Sequence, residues 1–280
     1  MLLTLLPTTN IYLSLPIKDP PPLDDIQQQY SAQYYLNKIK EKTKSYNYTP
    51  FINAFVNLSK QPTTNMYFVF IELIQHFDFL ANSRQKIIFK SAKGGVDKGI
   101  IPAFYRVSKI ENDEPIENAT ATTILTQEDT EFVINIVNSE LPNSNLILIM
   151  DDCFDKNMVK LLYFVCAKYD KVFVTKPMAC WAGSSTKYII CKSRTQSTQP
   201  IPPISLETIN PTNIFLNRVE EMNCVFVEQQ IEMLITIFNK KERSSVILKS
   251  YQQKCIGWFI KHQLEYKRVD MEYTPFSVIV

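Results

Sequence analysis

The most constraining stretch of this chain is Asn145-Leu-Ile-Leu-Ile-Met150, an unbroken apolar run with Pro142–Ser144 before it and Asp151-Asp152 after it. A strand of that kind has no polar face to offer water, so it belongs inside a sheet covered on both sides. Downstream, Asp155–Tyr169 sets Met158, Val159, Leu161, Leu162, Val165 and Cys166 at helical spacing. Lys171–Lys176 and Lys187–Lys192 then read as strands, joined by a loop that holds Trp181 and Gly183. Upstream, Phe51–Leu58 alternates like a strand, and a helix is expected from Pro62 to about His76. Lys86–Phe89 and Thr120–Leu125 read as strands, separated by a basic loop (90–118) with one short strand near Phe104–Val107. Gln127–Val137 reads as a helix, with Thr126 and Asp129 spaced as a capping pair. Strands alternating with helices of this length predict an α/β fold, its sheet mostly parallel with an antiparallel final hairpin.

The ends of the chain have a different texture. Residues 1–23 are punctuated by prolines and expected to be extended, and from Asp24 the residues Ile26, Tyr30, Tyr34, Leu36 and Ile39 begin a helix. Beyond the polar, proline-rich stretch Ser193–Pro203, the pattern is helical only. Phe215, Val219, Met222, Phe226, Met233 and Ile237 keep close to a seven-residue repeat with a gap at the glutamines, and Val246–Leu264 supplies a second helix. The expected organisation is an N-terminal segment (1–49), an α/β core (50–193) and a C-terminal helical extension (204–270), joined in one compact unit.

Composition then excludes several chemistries. The chain has only five glycines in 280 residues. Phosphate and dinucleotide sites lean on glycine, because backbone N–H groups must approach the ligand with no Cβ in the way. Gly94, Gly95, Gly99 and Gly183 lie apart from any strand–glycine–helix context, so a glycine-cradled phosphate is not expected. The six cysteines are never closer than eleven residues, which leaves no C-x-x-C pair for zinc or redox work. Several stand among apolar neighbours, as reduced core cysteines do, so a reducing, cytoplasmic setting is expected. His76 and His262 read as surface or helix-end residues. No stretch approaches 18 uncharged apolar residues, so no membrane span is expected. The net charge is only +2, but Arg84–Lys109 holds seven basic residues against one Asp, and Asn239–Arg268 eight against two Glu. Such patches suit RNA or an acidic protein surface, or form a solvated face.

Two stretches carry a family likeness. Lys171-Val-Phe-Val-Thr-Lys-Pro177 followed by Ser184-Ser-Thr-Lys-Tyr-Ile-Ile-Cys191 resembles the closing hairpin of the RNA 2′-O-methyltransferases. Phe55-Val-Asn-Leu-Ser-Lys-Gln-Pro62 is similar to that family's first strand, whose end binds S-adenosylmethionine. The resemblance spans roughly residues 50–192 and implies a Rossmann-like methyltransferase sheet. Set against the family's pattern, the chemistry is missing. Thr63 and Thr64 follow Pro62 where the cofactor loop needs small residues, and Asn57 stands for the strand's acid. The family's lysine–aspartate–lysine–glutamate tetrad deprotonates a ribose 2′-hydroxyl. Here its first lysine would be Lys38 or Lys40, its aspartate falls in Asn118–Thr122, its second lysine at Met150 and its glutamate at Thr186. The resemblance therefore implies a non-enzyme with no cofactor. Asp151-Asp152 is weighed as a catalytic pair against a helix-start or solvated-loop role, and Trp181 as a base-stacking platform against a hydrophobic cover.

A narrower likeness is to the small, catalytically silent subunits of poxvirus mRNA capping enzymes. It rests on Leu13-Ser-Leu15, Pro20–Pro22, Ala32-Gln-Tyr-Tyr-Leu36, Trp181, Asn210-Pro211 and Asn217-Arg-Val-Glu-Glu221. That resemblance implies a heterodimer in which the chain stabilises and stimulates the guanine-N7 methyltransferase domain of a large subunit. By position, the contacts would be Gln33, Tyr34, Ile52, Asn53, Val219 and Glu220. The alternatives are a divergent active cap or RNA methyltransferase, and an RNA-binding transcription or processing factor.

Overall fold

The run Asn145–Met150 forms a strand sheltered on both faces, and every side chain in it except the half-buried Ile149 is buried. The structure, a computed structural model, describes residues 2–6, 31–61, 63–79, 85–90, 98–108, 120–126, 130–195, 206–239 and 244–268. In chain order the strands are β1 (Leu2–Leu6), β2 (Gln85–Lys90), β3 (Thr120–Thr126), β4 (Asn145–Met150), β5 (Tyr169–Lys176) and β6 (Lys187–Arg194). The helices are α1 (Ala32–Thr43), α2 (Thr49–Ile52), α3 (Ala54–Leu58), α4 (Asn65–Phe77), α5 (Ile100–Ser108), α6 (Thr130–Ser139), α7 (Lys156–Cys166), α8 (Asn213–Asn239) and α9 (Ser244–Lys261).

The strands make one mixed sheet in the order β1-β5-β6-β4-β3-β2. β2, β3 and β4 pair in parallel, while β6 lies antiparallel between β4 and β5, and β1 adds antiparallel to β5. The α/β class and the antiparallel hairpin follow the expectation. "Mostly parallel" holds only for strand direction, since three of the five pairings are antiparallel.

Alternation along the strands divides the core into two layers. Leu146, Leu148 and Met150 of β4 join Val172, Val174, Ile189 and Cys191 on one face, under α6, α7 and the first half of α8. Ile147, Ile124, Tyr188 and Ile190 face the other way, under α3, α4, α5 and α9. The two C-terminal helices are thus layers of the fold, one on each face. On the α9 side an aromatic cluster fixes the packing: Phe55 lies edge-to-face on Trp258 at 5.1 Å, and Phe68 on Phe259 at 5.3 Å. Such pairs add about 0.5–1.5 kcal/mol each beyond their buried area.

Two expectations fail, each from a misread period. Phe51–Leu58 is helical, as α2 and α3, because its buried residues Phe51, Ala54, Phe55 and Leu58 fall at i, i+3, i+4 and i+7. Pro50 sits in the first turn of α2, where its missing N–H costs nothing. The stretch likened to a cofactor-binding strand is therefore not a strand. Phe104–Val107 belongs to α5, whose Ile100, Ala103, Phe104 and Val107 repeat the same spacing. Gly99 is required just before it: a Cβ there would stand 2.2 Å from Thr64 Oγ1 and 2.7 Å from Tyr67 N. The helix start expected at Asp24–Tyr30, the first residues of the helix expected from Gln127, including Asp129 of its capping pair, and the linker over 196–203 lie outside the described residues, while Thr126 ends β3.

A closed site at the carboxyl end of the sheet

Ligands of open α/β sheets bind beyond the carboxyl ends of the strands. Here β4 ends at Met150, which is 3% exposed, and the chain leaves through Asp151, Asp152 and Cys153. Asp155 then caps α7, its carboxylate accepting from the N–H groups of Asn157 (2.8 Å) and Met158 (3.2 Å). The helix-start role weighed for this stretch thus falls to Asp155.

Asp152 is a hub. The Lys187 ammonium, completely buried at the start of β6, donates to its Oδ1. Gln230 Nε2 of α8 donates to the same oxygen at 3.0 Å, and Lys40 Nζ of α1 stands 3.6 Å from Oδ2. Asn223 of α8 braces the loop by donating to the Cys153 carbonyl at 2.8 Å. Asp151 faces outward and accepts from Ser185 Oγ (3.0 Å) and Thr186 Oγ1 (3.4 Å). Three positions likened to the tetrad, Lys40, Met150 and Thr186, thus converge around one loop, but Lys40 and Thr186 serve there to tie α1 and the start of β6 to it, as Gln230 and Asn223 tie α8. Lys38 instead lies over the Tyr34 ring at 4.4 Å, exposed. Thr122 is buried in β3, and Asn118 lies outside the described residues.

The β5–β6 loop closes the site from above. Trp181 packs on Tyr48 (5.2 Å between centroids) in a cluster with Leu36, Val227 and Leu234. A Cβ on Gly183 would stand 2.5 Å from the indole, so glycine is what lets the ring lie flat on its own loop. Trp181 is a hydrophobic cover and not an open stacking platform. Across the sheet, buried Glu72 of α4 accepts from the N–H groups of Met178 (3.0 Å) and Ala179 (3.2 Å) and from Trp258 Nε1 (2.9 Å). That carboxylate locks the loop to α4 and α9. Lys176, the last residue of β5, is 4% exposed and donates to the Ser184 carbonyl. Burial pushes its pKa down to about 8.

The expected partner contacts fall on three separate elements. Gln33 is exposed and Tyr34 half-buried in the first turn of α1, which Ser31 caps through the Tyr34 N–H at 3.2 Å. Ile52 (38% exposed) and Asn53 stand where α2 meets α3. On α8, Glu220 is exposed, but Val219 is 2% exposed in the layer it shares with α7. Val219 is therefore a core residue and no contact surface: it falls on the apolar stripe with Phe215, Met222 and Phe226 that faces the sheet.

Lys187, Gln230 and Lys176 were not singled out in the sequence. Gln230 had a signal, since it fills the gap in the α8 repeat from a fully buried position. Of the basic patches, the described part of the second is borne by α9 and the residues after it, where Lys249, Lys254, Lys261, Lys267 and Arg268 are exposed. Among the described residues, no helix is long and apolar enough to cross a membrane, and no group of three or more His, Cys, Asp or Glu is placed to hold a metal ion. All six cysteines are free thiols, four of them buried. No protein-family model matches the chain, and no curated protein matches its sequence.

Proposed function

We propose that this chain is a non-catalytic, methyltransferase-like regulatory subunit, which binds the guanine-N7 methyltransferase domain of a large mRNA capping subunit, stabilises it and stimulates it. One observation carries the non-catalytic half of this reading. The carboxyl end of β4, where a Rossmann-like methyltransferase would gather its reactants, is filled by the chain's own Asp152, Lys187, Lys40 and Gln230. The antiparallel β6 inserted beside β4 supports descent from such a fold. The partner half rests on the resemblance of the first helix, the loop tryptophan and the start of α8 to the silent capping subunits.

Stimulation requires only that the chain bind one conformation of its partner better than another. A ten- to hundredfold effect asks for about 1.4–2.7 kcal/mol of differential contact, which a few anchors can supply. Gln33→Ala with Tyr34→Ala removes accessible side chains from α1 without touching its buried Leu36. The double variant is expected to co-purify with a guanine-N7 methyltransferase domain on gel filtration, yet to support several-fold less methyl transfer to capped RNA than the parent. If the parent itself neither binds nor stimulates such a domain, the proposal fails. The isolated chain is further expected to bind S-adenosylmethionine more weakly than about 100 μM, roughly 5.5 kcal/mol. Tighter binding by calorimetry would favour a divergent active methyltransferase instead.

A further inference from the structure

Two lysines end buried at neighbouring strand tips, and their surroundings differ. Lys187 has the Asp152 carboxylate. Lys176 is 4% exposed, and among the described residues no carboxylate ion-pairs with it. Its Nζ donates to the Ser184 carbonyl, a neutral partner, and a buried ammonium held by neutral groups alone stays costly. Lys176 also lines a cavity of about 840 Å³ between α8, α9 and the β5–β6 loop. Its walls are mainly apolar, with Phe51, Met178, Met233 and Tyr251 among them, and Lys254 and Glu232 bring one further cation and one carboxylate to its lining. Size and lining are those of a small-molecule site, roughly 300–1,000 Å³ with few convergent polar groups. The cavity also lies beyond the carboxyl end of a strand, two positions along the sheet from the end of β4.

We infer that this cavity binds a small organic anion, whose acid group pairs with Lys176 Nζ while its aromatic or acyl body packs between α8 and α9. A carboxylate, a sulfonate and a phosphate monoester share the chemistry that Lys176 recognises. The inference is independent of any partner subunit. Its failure would leave the proposed function standing, and the reverse is also true.

The full chain is titrated at pH 7 with the fluorescent anion 1-anilinonaphthalene-8-sulfonate, and in parallel with its uncharged relative N-phenyl-1-naphthylamine. Expected is one saturable site for each. Lys176→Met, which keeps the length of the side chain, should weaken the sulfonate at least tenfold and change the neutral probe by less than twofold. Met233→Trp, which narrows the cavity, should weaken both. Sulfonate binding unchanged by Lys176→Met, or a Lys176→Met variant that loses both probes equally, overturns the site. The parent gives a second reading that needs no variant. Burial, together with Lys187 and Lys40, lowers the affinity of Lys176 for its proton, while Asp152 and the Cys180 thiol raise it; Glu232 of α8 and Lys254 of α9 also line the cavity. With its pKa at about 8, sulfonate affinity should be about tenfold weaker at pH 9 than at pH 7, with the neutral probe unchanged. A flat sulfonate profile across that range also overturns the site.

Discussion

Asp152→Ala is expected to lower the stability of the chain by about 3–5 kcal/mol, the usual effect of leaving one member of a buried ion pair alone. The remaining charge is Lys187, which is fully buried and cannot turn to water. Lys40 and Gln230 lose their partner at the same time, which loosens α1 and α8 from the loop after β4. In a chain of this size the loss corresponds to a fall in melting temperature on the order of 10 °C. Removing both charges should be far milder, because a well-packed apolar pair is often as stable as a buried ion pair. Asp152→Ala with Lys187→Met is therefore expected to regain most of the loss, and the double-mutant cycle to show a coupling of about 2 kcal/mol or more. The cycle separates two meanings of the hub. Groups held for catalysis usually cost stability, so replacing them leaves a protein as stable or more so. A single variant as stable as the parent would return Asp152 to the list of candidate catalytic residues.

The sheet was legible in the sequence wherever burial wrote a period of its own. β4 had no polar face, α7 showed an apolar stripe, and β5 and β6 were bounded by polar loops. The two misreadings arose where a helix presents β-branched residues on its outer side. Ile52 and Val56 suggested a strand, while the buried Phe51, Ala54, Phe55 and Leu58 kept a helical step. In α5, Ile101 lies on the outer side, and Pro102 falls in the first helical turn, where a proline is well tolerated. The site was less legible for a different reason. Asp152, Lys187, Gln230 and Lys40 come from four elements, and no local pattern links an acid after one strand to a lysine 35 residues later. The cavity beside Lys176 was out of reach as well, since its walls are set by how α8 and α9 pack over the β5–β6 loop. Position along α8 did mark Val219 as core, but the likeness to partner-binding subunits pointed the other way.

The chain should lose stability steeply above pH 9, and its buried thiols set the direction. Cys153 and Cys255 are pushed up to about 12 by burial, and Cys166 and Cys191 are raised as well, by burial and by their neighbouring thiols. In the unfolded chain these groups ionise near 8.5. Between that value and the raised one, the native state holds protons that the unfolded state has released, so unfolding becomes easier as pH rises. At pH 10.5, two units above the unfolded value, Cys153, Cys166 and Cys255 each account for a loss of nearly 3 kcal/mol, about 8 kcal/mol for the three, and Cys191 acts in the same direction. Lys176 acts in the opposite sense. Its folded pKa of about 8 lies below the unfolded value, so from pH 8 to 10.5 the unfolded chain holds the extra proton and stability rises, by about 3 kcal/mol. For these groups the net expectation is a fall of about 5 kcal/mol, comparable to the whole stability of many domains; the raised Cys180 thiol and Tyr251 hydroxyl add to it, and the lowered Lys168 and Lys192 offset part of it. Denaturant titrations at pH 8, 9, 10 and 10.5, with reductant present, would measure it. Cys191→Val and Cys166→Ala should each flatten the decline, and Lys176→Met should steepen it. Stability that holds or rises to pH 10.5 would mean that these thiols reach water in the native protein, and that the apolar layer between β6 and α7 is not closed.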